Sequence, residues 1–431
     1  MTARDVLERV PDAADGALAW TTQSESVRVN FENNRLKSVN DAHRTGLGVR
    51  VIADGQEGSS SSTDPADAEA VVGRALETAA FGRRARYAFP GPSQLPEVKV
   101  YDPALRKTTK EEMVAVGAAM MAILEQYNRA IVREAGVSKT ITRYSLATSP
   151  GAAHSTDYSL FRVWIGGQWI RGTDMLWVHQ DLESAQCAIE PEDLVHKAVS
   201  WFRLAEQVVP MPPGRIPVIF APQAMKVLLL ALVLGVNGKN VLLGSSPLAG
   251  RLGDRVADEA LSITDDPLLD YAPGSAPFDS DGVPCSRTPV IEQGVLKNFL
   301  YDLDVASRAG VQSTGNAPGC WPHNLCIAPG DMPYEQMIAD TEEGLLVRDV
   351  LALGQGNAIS GAFSLNVELG YRIQKGRITG RVKDVMLAGN TYEALQAIDA
   401  IGDTAEWTGG TAARAVLTPP VKIGALSVTA K

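Results

Sequence analysis

Cysteine is scarce in this chain: Cys187, Cys285, Cys320 and Cys326 are the only four in 431 residues. So few thiols do not make a disulfide framework, and a reducing cytoplasm is the expected location. Concentrated positive charge is missing too. Lys and Arg number 40 against 50 Asp and Glu, a formal charge of −10. Binding a nucleic-acid backbone needs clustered Lys and Arg, so no direct nucleic-acid contact is expected. The longest apolar run, Val227 to Val236, is about half of the ~20 residues a membrane span needs. Met1 to Gly16 carries Asp5, Glu8, Asp12 and Asp15 and does not read as a secretory leader.

Histidine is also sparse. His43, His154, His179, His196 and His323 are spread so that no two fall within one or two helical turns. A helical zinc site needs two imidazoles on one face with a Glu beside them, and that pattern cannot be built locally. No Gly-x-Ser-x-Gly elbow occurs. Gly238-Lys239 is followed by Asn240, and Val233 sits where a phosphate loop has its first glycine, so phosphate cradling is not expected.

What is present fits a globular chain. Hydrophobic residues make up 45% and charged residues 21%, and at ~100–200 residues per domain two or three domains are expected. Residues 3–10 read as a helix, 27–32 as a strand, 35–39 as its return after Asn33-Asn34, and 46–52 as a third strand. Asp64 and Pro65 start a helix over 66–81. Residues 83–108, with Pro90, Pro92, Pro96 and Pro103, read as a linker. Helices are expected over 109–127 and 191–207, with β-like runs between 130 and 183. Pro210 to Gly214 marks a boundary between residues 1–209 and 210–431. Beyond it come a strand at 216–220 and a helix at 222–234 that is apolar on nearly every face, hence buried. From Pro284 the pattern is short strands between Gly and Pro. The fold class is α+β, with a helix-and-strand N-terminal half and a β-rich C-terminal half.

Four clusters carry possible chemistry. Asp265-Asp266-Pro267 reads as a turn, because adjacent side chains of an extended segment point opposite ways. Asp279-Ser280-Asp281-Gly282 opens like a calcium loop, but Val290 stands at the closing acidic position, so a turn is expected. Ser59 to Ser62 reads as a solvated strand end rather than a nucleophile. Cys320, His323 and Cys326 are soft ligands of the kind zinc takes, with Cys285 a conceivable fourth, although the spacing is not that of a standard finger.

Several segments together resemble the TldD/PmbA family, described both as modulators of DNA gyrase and as metallopeptidases. They are residues 31–39, 46–52, 246–253, 265–267, 277–284, 294–300, 313–317, 361–364 and 389–390, collinear with the family's order across most of the chain. The resemblance implies a catalytic branch with a His-Glu-x-x-x-His helix and a late Cys, and a PmbA, or TldE, branch without them. Here the His positions fall on Leu230 and Gly235 and the Glu on Ala231, and no Cys stands near Gly409 to Ala412. This places the chain with the second branch, with no catalytic or metal residue and no cofactor of its own. The resemblance further implies a homodimer, or a heterodimer with a zinc-bearing TldD-type protease, acting on extended or unfolded peptides. The alternatives are an independent hydrolase using Cys320, His323 and Cys326, or a protein-binding regulator of the gyrase-modulator type.

Overall fold

A computed structural model describes residues 1–187, 191–351, 353–354, 357–409 and 413–430. The N-terminal region is built on one six-stranded antiparallel sheet. In spatial order its strands are Gln56–Ser62, Arg35–Ala53, Gly16–Glu32, Ile131–Thr148, Ala153–Arg171 and Asp174–Ser184. Side-chain alternation gives the sheet two unlike faces. Along the Gly16–Glu32 strand, Ala17, Ala19, Thr21, Val29 and Phe31 are buried. Helices Ala68–Ala79, Lys110–Tyr127 and Pro191–Leu204 pack on that side through two apolar clusters. The alternate residues Trp20, Ser24, Ser26, Arg28 and Asn30 keep contact with solvent.

Helix starts follow the expected chemistry. Asp64 accepts from the Ala66 backbone N–H at 2.9 Å. Thr109 and Glu112 form a reciprocal capping box at the start of Lys110–Tyr127. Two expectations differ. The strands expected at 35–39 and 46–52 are one continuous 19-residue strand. Its polar middle stays extended because Asn40 to Thr45 pairs in register with Gln23 to Arg28, so ladder pairing rather than burial holds it. The segment 83–108 is a packed strap rather than a free linker. Phe89, Val100 and Leu105 are buried, and Tyr271 N–H donates to the Lys99 carbonyl at 2.7 Å.

The C-terminal half carries two further sheets. One holds, in order, Glu343–Leu351, Gly214–Phe220, Val421–Ala430, Val385–Asn390, Ala362–Gln374 and Arg377–Arg381, with Ile398–Ile401 on the Val421–Ala430 strand. Glu343–Leu351 also pairs with Ala362–Gln374, so this sheet closes on itself. The other runs Val295–Leu296, Thr288–Glu292, Ile263–Asp265, Asn324–Ile327, Ala415–Thr418 and Glu406–Gly409. Helix Lys226–Val236 is buried in one apolar cluster with both sheets, as its all-round apolar sequence requires. Among the described residues no helix is long and apolar enough to cross a membrane. The first sheet and its helices end at Leu204 and the later sheets begin at Gly214. One apolar cluster nevertheless crosses that join, uniting Val195 and Phe202 with Ile219, Leu346 and Tyr371.

Candidate functional site

By the resemblance, a metal-binding helix would fall on Lys226–Val236. Leu230 and Ala231 border a cavity of only about 60 Å³, walled by Leu353, Phe363 and Leu365 among others. The Tyr392 hydroxyl lies 2.9 Å from the Ala231 carbonyl and 3.1 Å from that of Ile359. A Cβ on Gly235 would come within 2.6 Å of that hydroxyl. The tyrosine therefore fills the space a side chain at 235 would need.

The soft residues Cys320, His323 and Cys326 do not converge. The Cys320 sulfur accepts from Asp302 N–H at 3.2 Å, while the Cys326 thiol points to the Asn324 carbonyl at 3.6 Å. Burial pushes both thiols up to about 12, so they are held protonated. His323 instead meets Cys285, with Nε2 3.6 Å from its sulfur and 2.9 Å from the Gly315 carbonyl. Both residues are buried, at 2% and 3% exposure, so no substrate reaches them. Burial lowers the His323 imidazole to about 4 and raises the Cys285 thiol, which keeps both uncharged. Among the described residues no group of three or more His, Cys, Asp or Glu is placed to hold a metal ion.

The acidic motifs are turns. Asp266 accepts from Leu268 N–H at 3.0 Å, and Asp279 accepts from the Asp281 and Val283 N–H groups at 2.9 and 3.0 Å. Their neighbours anchor loops. Asp265 accepts from His323 N–H at 2.8 Å and Asn316 Nδ2 at 2.6 Å, and burial raises its carboxyl to about 7. Asp281 pairs with Arg50 at 2.5 Å, fastening the C-terminal half to the first sheet. Ser59 to Ser62 ends its strand at the helix cap, where Ser62 donates to Asp67 at 2.6 Å.

The open feature near the helix is a cleft of about 590 Å³ between the first sheet and the C-terminal half. Trp164, Trp177 and His179 form its sheet side; Gln223, Lys226, Asp349 and Arg414 lie opposite. Trp164 lies flat because its cross-strand partner is Gly136, where a Cβ would collide with the indole nitrogen. Charges across the cleft are mostly spoken for: Lys226 meets Asp349 at 2.6 Å, and Arg162 meets Glu183 at 3.0 Å. Burial lowers the His179 imidazole and raises the Glu183 carboxyl. Aromatic walls with paired charges suit holding a chain more than breaking a bond.

Residues 213–430 match the model of the PmbA/TldA metallopeptidase C-terminal domain, and residues 22–79 match that family's domain 1. The chain belongs to the PmbA/TldD family. Metalloprotease PmbA of Escherichia coli O157:H7 is 26% identical, over 97% of this chain and 94% of that protein. A metalloprotease of Methanothermobacter thermautotrophicus is 34% identical, but the match spans 45% of this chain and 44% of that protein. The crystal structure of TldE from Thermococcus kodakarensis shares the fold with a TM-score of 0.90, at 20% identity over 99% of this chain and 98% of that one. A Thermotoga maritima protein described as a DNA-gyrase modulator superposes with a TM-score of 0.88, at 23% identity over 96% of each chain.

A PmbA/TldD metallopeptidase implies a metal, and the residues here do not fit one. Leu230, Ala231 and Gly235 carry no side-chain donor, and the Tyr392 hydroxyl stands where a longer side chain at 235 would extend. Gly410 to Ala412, part of the stretch where the resemblance places a late Cys, lie outside the described residues. The cleft itself was not legible beforehand. Trp164, Trp177 and His179 fall within the β-like runs of 130–183 and Lys226 within the helix expected at 222–234, but nothing in the sequence brings them together with Arg414.

Proposed function

We propose that this chain is the PmbA/TldE-type, non-catalytic subunit of a two-subunit metallopeptidase. It holds extended or unfolded peptide for a TldD-type catalytic partner, which carries the zinc. It forms a heterodimer with that partner and a homodimer when alone, in the cytoplasm. One observation carries the reading: at the helix where the family's metal would sit, the donors are absent and Tyr392 has closed the space. The cleft beside that helix supports the peptide-holding part, because extended peptides bind by adding a strand at a sheet edge, and Trp177 and His179 of the cleft stand on the edge strand Asp174–Ser184.

The test is elemental analysis of the purified chain, followed by peptide cleavage with and without a TldD-type subunit. The expected result is sub-stoichiometric metal, no cleavage by the chain alone, and cleavage by the mixture. Chelator-sensitive cleavage of unfolded peptide by the purified chain alone would overturn the reading. One zinc per chain would do the same and would make Cys285 and His323 the first residues to replace.

A further inference from the structure

The sheet side of the cleft is laid out by side-chain alternation. Arg162 and Trp164 on one strand, and Trp177, His179, Asp181 and Glu183 on its neighbour, are alternate residues that share one face. Both indoles lie down across glycines. A Cβ on Gly136 would collide with Trp164 Nε1, and one on Gly166 would come within 3.1 Å of Trp177 Cζ2. Two other tryptophans carry an arginine: the Arg171 guanidinium sits 4.5 Å from the Trp169 ring centre, and that of Arg348 5.4 Å from the Trp201 ring centre. Among the described residues no cation covers Trp164 or Trp177, and both rings are half-buried in the cleft wall.

The opposite wall holds one cation to spare. Lys226 is paired with Asp349 at 2.6 Å, and Arg162 takes Glu183 at 3.0 Å and Asp181 at 3.5 Å. Every carboxylate that lines the cleft is thereby held. The charges that act on Glu183 are those of Arg162 and Asp181. Arg414 lines the cleft, is exposed, and forms no ion pair among the described residues. Its charge falls on the buried side chains of Tyr158, Cys285 and His323, all of them neutral.

We propose that the cleft selects peptide segments in which an aromatic residue adjoins an acidic one, the ring lying on the faces of Trp164 and Trp177 and the carboxylate on the Arg414 guanidinium. Successive side chains of an extended chain point opposite ways. A strand running between these walls therefore sends one residue to the indoles and the next to Arg414. The indole wall offers planar apolar surface rather than spare charge, since its carboxylates are already held by Arg162. The other wall offers the unpaired guanidinium, which donates to a carboxylate through charge-assisted bonds. The inference rests on the peptide-holding role proposed above and names the side chains that role favours.

The test is calorimetric titration of the full chain with acetyl-Ala-Ala-Phe-Glu-Ala-Ala-amide and with counterparts carrying Gln or Lys in place of Glu, or Ala in place of Phe. Both ends are capped, so only the side chains differ. The Glu peptide is expected to bind about fivefold more tightly than the Gln peptide, a margin that shrinks in about 1 M salt. Replacing its Phe by Ala should weaken binding about fivefold. Arg414→Gln should erase the Glu-over-Gln margin with the thermal midpoint unchanged, because no ion pair in the fold depends on that side chain. Arg414→Glu should reverse the order, so that the Lys peptide binds more tightly than the Glu peptide. Equal affinities of the Glu and Gln peptides, tightest binding of the Lys peptide by the native chain, no loss on replacing Phe, or a margin that survives Arg414→Gln would each overturn the selectivity and leave the holding role standing. Binding of none of these peptides would overturn both.

Discussion

Between about pH 6.5 and pH 4 the unfolded chain accepts a proton on His323 that the folded chain excludes, since burial holds the imidazole near 4 against an ordinary 6.5. The contribution is full above 6.5 and is lost as the pH falls through that window. Asp265 acts in the opposite sense. It keeps its proton up to about 7 against an ordinary 3.8, so stability declines as the pH rises between those values. Comparing the native chain with His323→Gln isolates the imidazole. The native chain should lose up to about 3 kcal/mol more between pH 6.5 and 4, read from urea unfolding at each pH. Gly235 makes a steric prediction. Gly235→His must displace the Tyr392 hydroxyl and should cost about 2–3 kcal/mol, while binding no zinc in an equilibrium dialysis assay. A bound zinc with unchanged stability would show that the space is not filled as described.

Among the elements, helix Lys110–Tyr127 depends on its reciprocal cap. Thr109→Ala should lower unfolding free energy by about 1 kcal/mol without altering peptide binding, because the helix lies on the face of the sheet away from the cleft. This start was legible in the sequence, as was that at Asp64, because caps are local chemistry. The all-apolar helix after Pro222 was legible for a similar reason: a segment with no polar face has to be buried. The continuity of Arg35–Ala53 was not. Asn40 to Thr45 has no apolar alternation, and its extended form comes from a partner strand several residues away in the chain. Asp265 shows both outcomes. Its separation from Asp266 followed from strand geometry, but its role in tying His323 and Asn316 depended on loops 51 and 58 residues distant.

At the scale of the molecule, the boundary near residue 210 separates sheets but not cores. Val195 and Phe202 share a cluster with Ile219 and Leu346, and Phe89 of the strap packs with Phe278. A fragment of residues 1–209 should therefore expose that apolar surface and bind a hydrophobic dye, with no cooperative melting transition. A sharp, dye-free transition for the fragment would count against a shared core. The same assembly explains why the cleft could not be read in advance, since its two sides meet only after both halves have folded. Tyr392 has a last consequence, an evolutionary one. Acquiring a metal helix of the family's kind would require new donors at 230, 231 and 235 and a smaller residue at 392. The step at 235 strains the packing, and no single step restores a complete ligand set. No single substitution opens a path to a complete ligand set, so the plugged helix acts as a ratchet that, under the role proposed above, commits its lineage to working through a partner.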